Sequence, residues 1–470
     1  MKVRRFRRAC LPAAVAALAL VLPAAASGGT LLEAMAKAYV ANPQLEAARA
    51  RLRATDEGVP QALSGWRPTV TARGSTGYGR FNSKRRSGLL GQFNESTESR
   101  NPSSVRVEAT QPLYDGDRRT ARLRAAKHRV SAQRARLLAV EQTVFLSTGL
   151  SYMDVVHDQA VVELTVNNVS VLQRRLQAAR DQFEVGEVTR TDVAQAEARL
   201  ARAIAERVSA AGRLETSRAN YQRVVGELPA RLDGPPPLAA LPQTKDEAVE
   251  AASRDNPEVA AASFDERAAL DDAEAIRSEL LPRVNLVGTV SHAADSSGRG
   301  TRNNDVTVAA TVSVPLYEAG NITSRRRAAI ETASRMRAVA EDRRRIAVEQ
   351  AVRAWENLTS ARARLESLIT EVRASEIALD GLQQEAEVGT RTLLDVLDAE
   401  QDLLDARVNV VRTKQAEAVA SYQLAAAAGR LTVEIQQVPV APYDFQANYD
   451  RVRTLRWDPG AIFGGGRNNE

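Results

Sequence analysis

Apolar residues recur along this chain with two different periods. Over most of it the spacing is 3 and 4. Val162, Thr165, Val169, Leu172, Leu176, Ala179 and Phe183 form one seam, the mark of a helix packed in a coiled coil. Moved on by 203 residues, the seam returns as Leu365, Leu368, Val372, Ser375, Leu379, Leu382 and Ala386. A second helix follows each, with Val193, Ala196, Leu200 and Ala203 matched by Val396, Ala399, Leu403 and Ala406. Between the helices of each pair, "EVGE" or "EVGT" supplies a glycine break. From Asp117 to Phe183 there is no proline and one glycine, Gly149, which predicts a helix of ~65 residues and ~100 Å.

Elsewhere the period is two. Val306, Val308, Ala310, Val312 and Val314 alternate with Thr307, Ala309, Thr311 and Ser313. Weaker alternation runs through Val284, Leu286, Gly288 and Val290, through Val105, Val107 and Ala109, and through Val70, Ala72 and Gly74. The pattern predicts strands near 69–78, 105–113, 283–292 and 306–316. They form two hairpins with Ser-, Asn-, Gly- and Arg-rich loops at 79–104 and 293–305. Pro68, Pro112, Pro282 and Pro315 stand at the strand–helix junctions, because proline ends a ladder and is tolerated at a helix start.

The same order is written twice. "ANPQLEAA" and "DNPEVAAA" align at an offset of 214, as do Pro68 and Pro282. "ATQPLYDG" and "VSVPLYEA" align at 203, as do Asp192 and Asp395. The offset drops only between the two strands of a hairpin, which marks duplication with one length change. The expected division is a first repeat over 27–243, a second over 244–438, and a poorly ordered tail over 439–470, rich in Pro, Gly and Asn.

Composition sharpens this picture. The chain is 44% apolar but only 4% aromatic, which suits long packed helices better than a thick globular core. Residues 1–26 read as a secretory signal, with Lys2, Arg4, Arg5, Arg7 and Arg8 before an apolar run and small residues. Without those five cations the net charge of +6 falls to about +1. No basic patch is interleaved with aromatics, so a nucleic-acid partner is not expected. Cys10, the only cysteine, precedes the apolar run and is badly placed for lipidation.

Ten-residue strands, apolar on one face and small or polar on the other, fit outer-membrane barrel strands. They fit a small soluble sheet packed on the coiled coil equally well, and the signal sequence tilts the balance toward the barrel. Four strands cannot close in lipid, where an open edge is not tolerated, so several chains would share the barrel and continue it as a helical tube.

The paired hairpins, the "PLY" junctions, the twin "VG" breaks and above all "VGTRTLLDVLDA" resemble the TolC family, outer-membrane channels of efflux pumps and type I secretion systems. The resemblance covers residues 30 to 435. It implies a mainly α fold with a β-barrel part: a homotrimer with a shared 12-stranded outer-membrane barrel, four strands per chain, continued by a long α-helical periplasmic tunnel. It also implies a periplasmic adaptor and an inner-membrane ABC or RND-type transporter as partners. No cofactor, catalytic residue or metal site is expected. The absence of a lipidation cysteine leans toward the unacylated, secretion-type branch.

The resemblance also assigns residues. Asp395 and Asp398 of "DVLDA" correspond to the aspartates facing the narrow periplasmic entrance, where three chains would make an acidic, cation-attracting ring. Arg391 corresponds to the gate arginine, linked to a threonine–aspartate pair, here Thr191 and Asp192. The family's second gate contact is a tyrosine where this chain has Ala386. Another reading stands beside these. Thr392 with Asp395, and Thr189 with Asp192, have capping-box spacing. Asp398 has no such role and no acidic counterpart in the first repeat, where Gln195 stands. Asp402 and Asp405 read as a solvated face. His128, His157 and His292 are scattered and read as packing or surface residues. The function expected is an exit duct and not an enzyme. The alternative is a soluble coiled-coil adaptor, which predicts one helical hairpin flanked by compact β domains.

Overall fold

The computed structural model describes residues 29–87, 92–234 and 238–455. The expected signal segment lies outside them.

The first repeat opens with three short helices, α1 (Leu31–Ala41), α2 (Pro43–Asp56) and α3 (Gly58–Ser64). The strands β1 (Thr69–Thr76), β2 (Gly79–Ser87), β3 (Gln92–Arg100) and β4 (Ser103–Tyr114) follow, then the long helices α4 (Arg118–Glu184) and α5 (Arg190–Val225). The second repeat holds α6 (Lys245–Asp255), α7 (Pro257–Arg277), a 3-10 turn (Ser278–Leu280), β5 (Arg283–Ala294), β6 (Arg302–Ser313), α8 (Asn321–Glu387) and α9 (Leu393–Ala427). The last described helix is α10 (Phe445–Thr454).

One antiparallel sheet has the order β1-β4-β5-β6, so the two hairpins join through β4 and β5 and leave β1 and β6 as free edges. Its register places Val70, Val107, Val290 and Val306 on one face. Thr71, Glu108, Thr289 and Thr307 share a row on the other. The apolar face is bare: Val306 is 74% exposed, Val308 72% and Val70 67%. Exposed aromatics bracket this band, with Tyr78 at one end and Tyr114 and Tyr317 at the other. That is the arrangement of a lipid-facing barrel wall. No described helix is long and apolar enough to cross a membrane.

Three expectations need correcting. The loop over 79–104 is itself a folded ribbon, β2 paired with β3; its Ser, Asn and Arg content hid strands whose described side chains are exposed or half-buried. Pro112 lies inside β4, where the register with β5 shifts between Pro112 and Tyr114, so it marks a bulge and not the strand's end. The segment after residue 438 is packed. Asp444 caps α10 by accepting from the amides of Gln446 and Ala447, and Val452 is buried. Asn448 donates to Asp56 and Arg134 lies over the Tyr449 ring. Residues 456–470 lie outside the described residues.

The helices form a single layer. In the half nearer the sheet α4 packs on α2 and α7, and α7 on α8; in the far half α4 packs on α5 and α9, and α9 on α8. The short helices meet end to end. Asn42 caps α2 and its amide donates to the carbonyl of Val224 near the end of α5 (3.1 Å); Asn256 caps α7 and donates to Ala427 at the end of α9 (3.2 Å). The main core gathers Tyr39, Phe145, Tyr152, Tyr221 and Leu431 at that level. Where sheet meets helices, the buried carboxylate of Glu279 binds Arg118 of α4 (2.7 Å) and Arg325 of α8 (2.6 Å), tying the two repeats together.

The seam positions of α4 from Thr165 to Ala179 are buried, whereas on α8 only Leu368 of the corresponding set is. Helix α8 ends the layer on one side and α5 on the other, and both keep exposed apolar residues, Ile369 and Ile377 on α8 and Val208 on α5.

Candidate functional site

The far ends of the two helix pairs carry the predicted site residues. At each tip a glycine in the left-handed region, Gly186 (φ 84°) or Gly389 (φ 78°), lets the chain reverse. A threonine then starts the return helix. Thr392 Oγ1 accepts from the Asp395 amide, while an Asp395 carboxylate oxygen accepts from the Thr392 amide (3.0 Å) and hydroxyl (2.8 Å). Thr189 and Asp192 repeat the motif at 2.8 and 2.7 Å. Bonds from Thr392 hold the Asp395 carboxyl below the usual aspartate range, and those from Thr189 do the same for Asp192. Both aspartates are therefore anionic caps.

Arg391 turns away from the first repeat's tip. Its Nε donates to Glu385 of the preceding helix at 2.9 Å. Within one chain Thr191 and Asp192 are not among its partners, so the three gate candidates are not brought together.

Asp398 has a structural partner that its spacing did not reveal: it pairs with Arg199 of α5. Two residues on, Glu400 accepts from Nε of Arg175 on α4 at 2.8 Å. Its side chain is 6% exposed and its second oxygen is buried with no hydrogen-bond partner among the described residues. One short stretch of α9 thus grips both helices of the other pair. Only Glu400 left a trace in the sequence, as an acid beside the buried Val396, Leu397, Leu403 and Leu404. Its partner, 225 residues away, left none. Asp402 and Asp405 are exposed, and Asp405 accepts from Gln401. A groove of about 570 Å³ between α4 and α8, floored by α9, runs past Arg175, Glu400 and Arg407.

Comparison with known proteins now decides the family. The Outer membrane efflux protein family model matches residues 34–227 and 248–430, one stretch in each repeat. The chain belongs to the outer membrane efflux protein family. It is 32% identical over 433 residues to the Outer membrane efflux protein BepC of Brucella suis, covering 91% of each chain. It is 26% identical over 440 residues to the Outer membrane protein TolC of Vibrio cholerae, covering 90% of this chain and 95% of that one. The solved structure of the outer membrane protein VceC from Vibrio cholerae shares the fold with a TM-score of 0.72 at 18% identity, over 85% of this chain and 96% of that one. The chain is thus a TolC-like protein of the outer membrane that extends into the periplasm. The soluble-adaptor alternative is not favoured: strands of both repeats share one four-stranded sheet, and each repeat carries its own long helical pair.

Proposed function

We propose that three copies of this chain assemble into an exit duct across the outer membrane. One observation carries the reading. The sheet and the helical layer each have two unfinished edges, β1 and β6 above, α5 and α8 below, with exposed apolar residues along them. Pairing β6 with the next copy's β1 closes a barrel of 12 strands with its apolar face to lipid. Pairing α8 with the next α5 closes the tunnel beneath. Transport energy comes from an inner-membrane ABC or RND-type transporter reached through a periplasmic adaptor, and the duct itself is not an enzyme.

At the tunnel mouth Asp395 and Asp398 form an acidic ring, and Arg391 holds the mouth shut through Thr191 and Asp192 of a neighbouring helix pair. The ties from α9 to Arg175 and Arg199 take the place of the family's tyrosine contact, lost at Ala386. Single-channel conductance of the purified trimer in planar bilayers tests this. Cation selectivity and block by a trivalent cation should be lost in the Asp395→Ala, Asp398→Ala double variant, and conductance should rise in Arg391→Ser. Block that survives the double change removes the ring. Recovery of the protein as a soluble monomer removes the duct.

A further inference from the structure

The polar face of the sheet sets two arginines side by side. Arg73 on β1 stands directly opposite Arg106 on β4, in the row that continues through Ser291 to Asp305. Side chains so placed have Cβ atoms about 5 Å apart, and like charges there destabilise a sheet. Among the described residues neither guanidinium has an ion-pair partner. The acids on this face form no ion pair with them among the described residues. Asp305 is separated by the width of β5, and Glu108, one row along beside Thr71 and Thr289, is paired with neither.

What surrounds the pair is donor-rich. One row outward Ser75 Oγ lies 2.8 Å from Ser104 Oγ, and Ser291 follows Arg106 in its own row. Two guanidinium forks and three hydroxyls on one wall match the acceptor oxygens of phosphate or sulfate. A local cost of this kind is kept where it serves a ligand.

We propose that Arg73 and Arg106, with Ser75, Ser104 and Ser291, form an anion-binding station inside the barrel that engages multivalent oxyanions. The proposal rests on the trimeric duct reading, in which this face lines the lumen and three copies bring six arginines to it.

The test uses the full-length protein in planar bilayers at about 0.1 M salt, where screening acts over ~10 Å, with inorganic tripolyphosphate as the probe. Tripolyphosphate added on the barrel side should block the current. The Arg73→Gln, Arg106→Gln double variant should raise the half-blocking concentration about ten-fold or more. A wild-type channel that conducts but resists tripolyphosphate overturns the station, as does block unchanged in the double variant. Block that appears only in Asp305→Asn also overturns it, since the neighbouring chain's Asp305 would then be neutralising Arg73. If no channel forms, the duct reading fails separately. Calorimetric titration of the detergent-solubilised wild type and double variant with tripolyphosphate still decides the station, and equal heats overturn it.

Discussion

Asn42 splices two helices that lie 182 residues apart: its side-chain amide donates to the carbonyl of Val224 while its oxygen caps α2. Asn256 does the same for α7 and Ala427. Each asparagine thus satisfies a helix start and a helix end together. Asn42→Ala or Asn256→Ala should cost about 2 kcal/mol, a cap plus a buried carbonyl left unpaired. Asparagine to aspartate keeps the cap but turns an oxygen toward that carbonyl, and should destabilise as well. Thermal melting of the detergent-solubilised protein checks both; an aspartate variant as stable as wild type refutes the splice.

Gly429 closes the second splice. Its φ is 73°, and a Cβ there would lie 2.4 Å from the backbone oxygen of Asp255. Backbone cannot step aside as a side chain does. Gly429→Ala should cost at least about 2 kcal/mol and lower the amount recovered in outer membranes. Gly381→Ala, whose Cβ meets nothing within 4 Å, is the control.

Two buried glutamates give opposite pH signatures. Burial works against the Glu279 carboxylate, but Arg325 and Arg118 outweigh it and hold its pKa below the ordinary range. Its contribution is therefore complete above the ordinary glutamate range and fades as pH falls through the lowered value. Glu279→Gln should destabilise by about 2 kcal/mol at neutral pH, with the difference shrinking in acid. Burial raises Glu141 instead, against the opposing bond from the Val433 amide. Its contribution is complete below the ordinary range and is lost as pH rises through the raised value. Glu141→Gln keeps an acceptor for Val433 and should raise stability at neutral pH but not in acid. Melting curves across pH that move the same way for both variants contradict these assignments.

The Arg175–Glu400 tie joins the two helix pairs near their tips. Arg175 is about a third exposed, so breaking the tie should cost less than a fully buried pair, about 1–3 kcal/mol. Glu400→Gln should increase resting conductance of the channel. Arg180→Gln, which removes an exposed pair with Glu197, should leave it unchanged. Equal effects from both changes would refute a special role for Glu400.

Local signals carried much of this fold. Heptad spacing marks the helices, alternation the β4–β5–β6 wall, and Thr392 with Asp395 a helix start, because each is written within a few neighbouring residues. Arg199 with Asp398, Arg175 with Glu400 and Arg118 with Glu279 are meetings of distant segments that no period records. The β2–β3 ribbon was illegible because its described side chains are exposed or half-buried, so Arg80, Asn82 and Lys84 cost little there. Helix α10 was legible in part: Asp444 before an apolar Phe445 is a helix start, outweighed by the Pro and Gly around it.

Helices α4 and α8 are each 67 residues long, while the hairpins at their other ends differ by a whole ribbon. One residue inserted in α4 alone would push its tip out by ~1.5 Å and rotate it by about 100°, unseating Arg175 from Glu400. An insertion in the inner half is thus viable only as a matched edit to both repeats, a rare event. One beyond Thr76 disturbs nothing below it. Length in this protein can drift in the β2–β3 ribbon and is frozen at the helix tips.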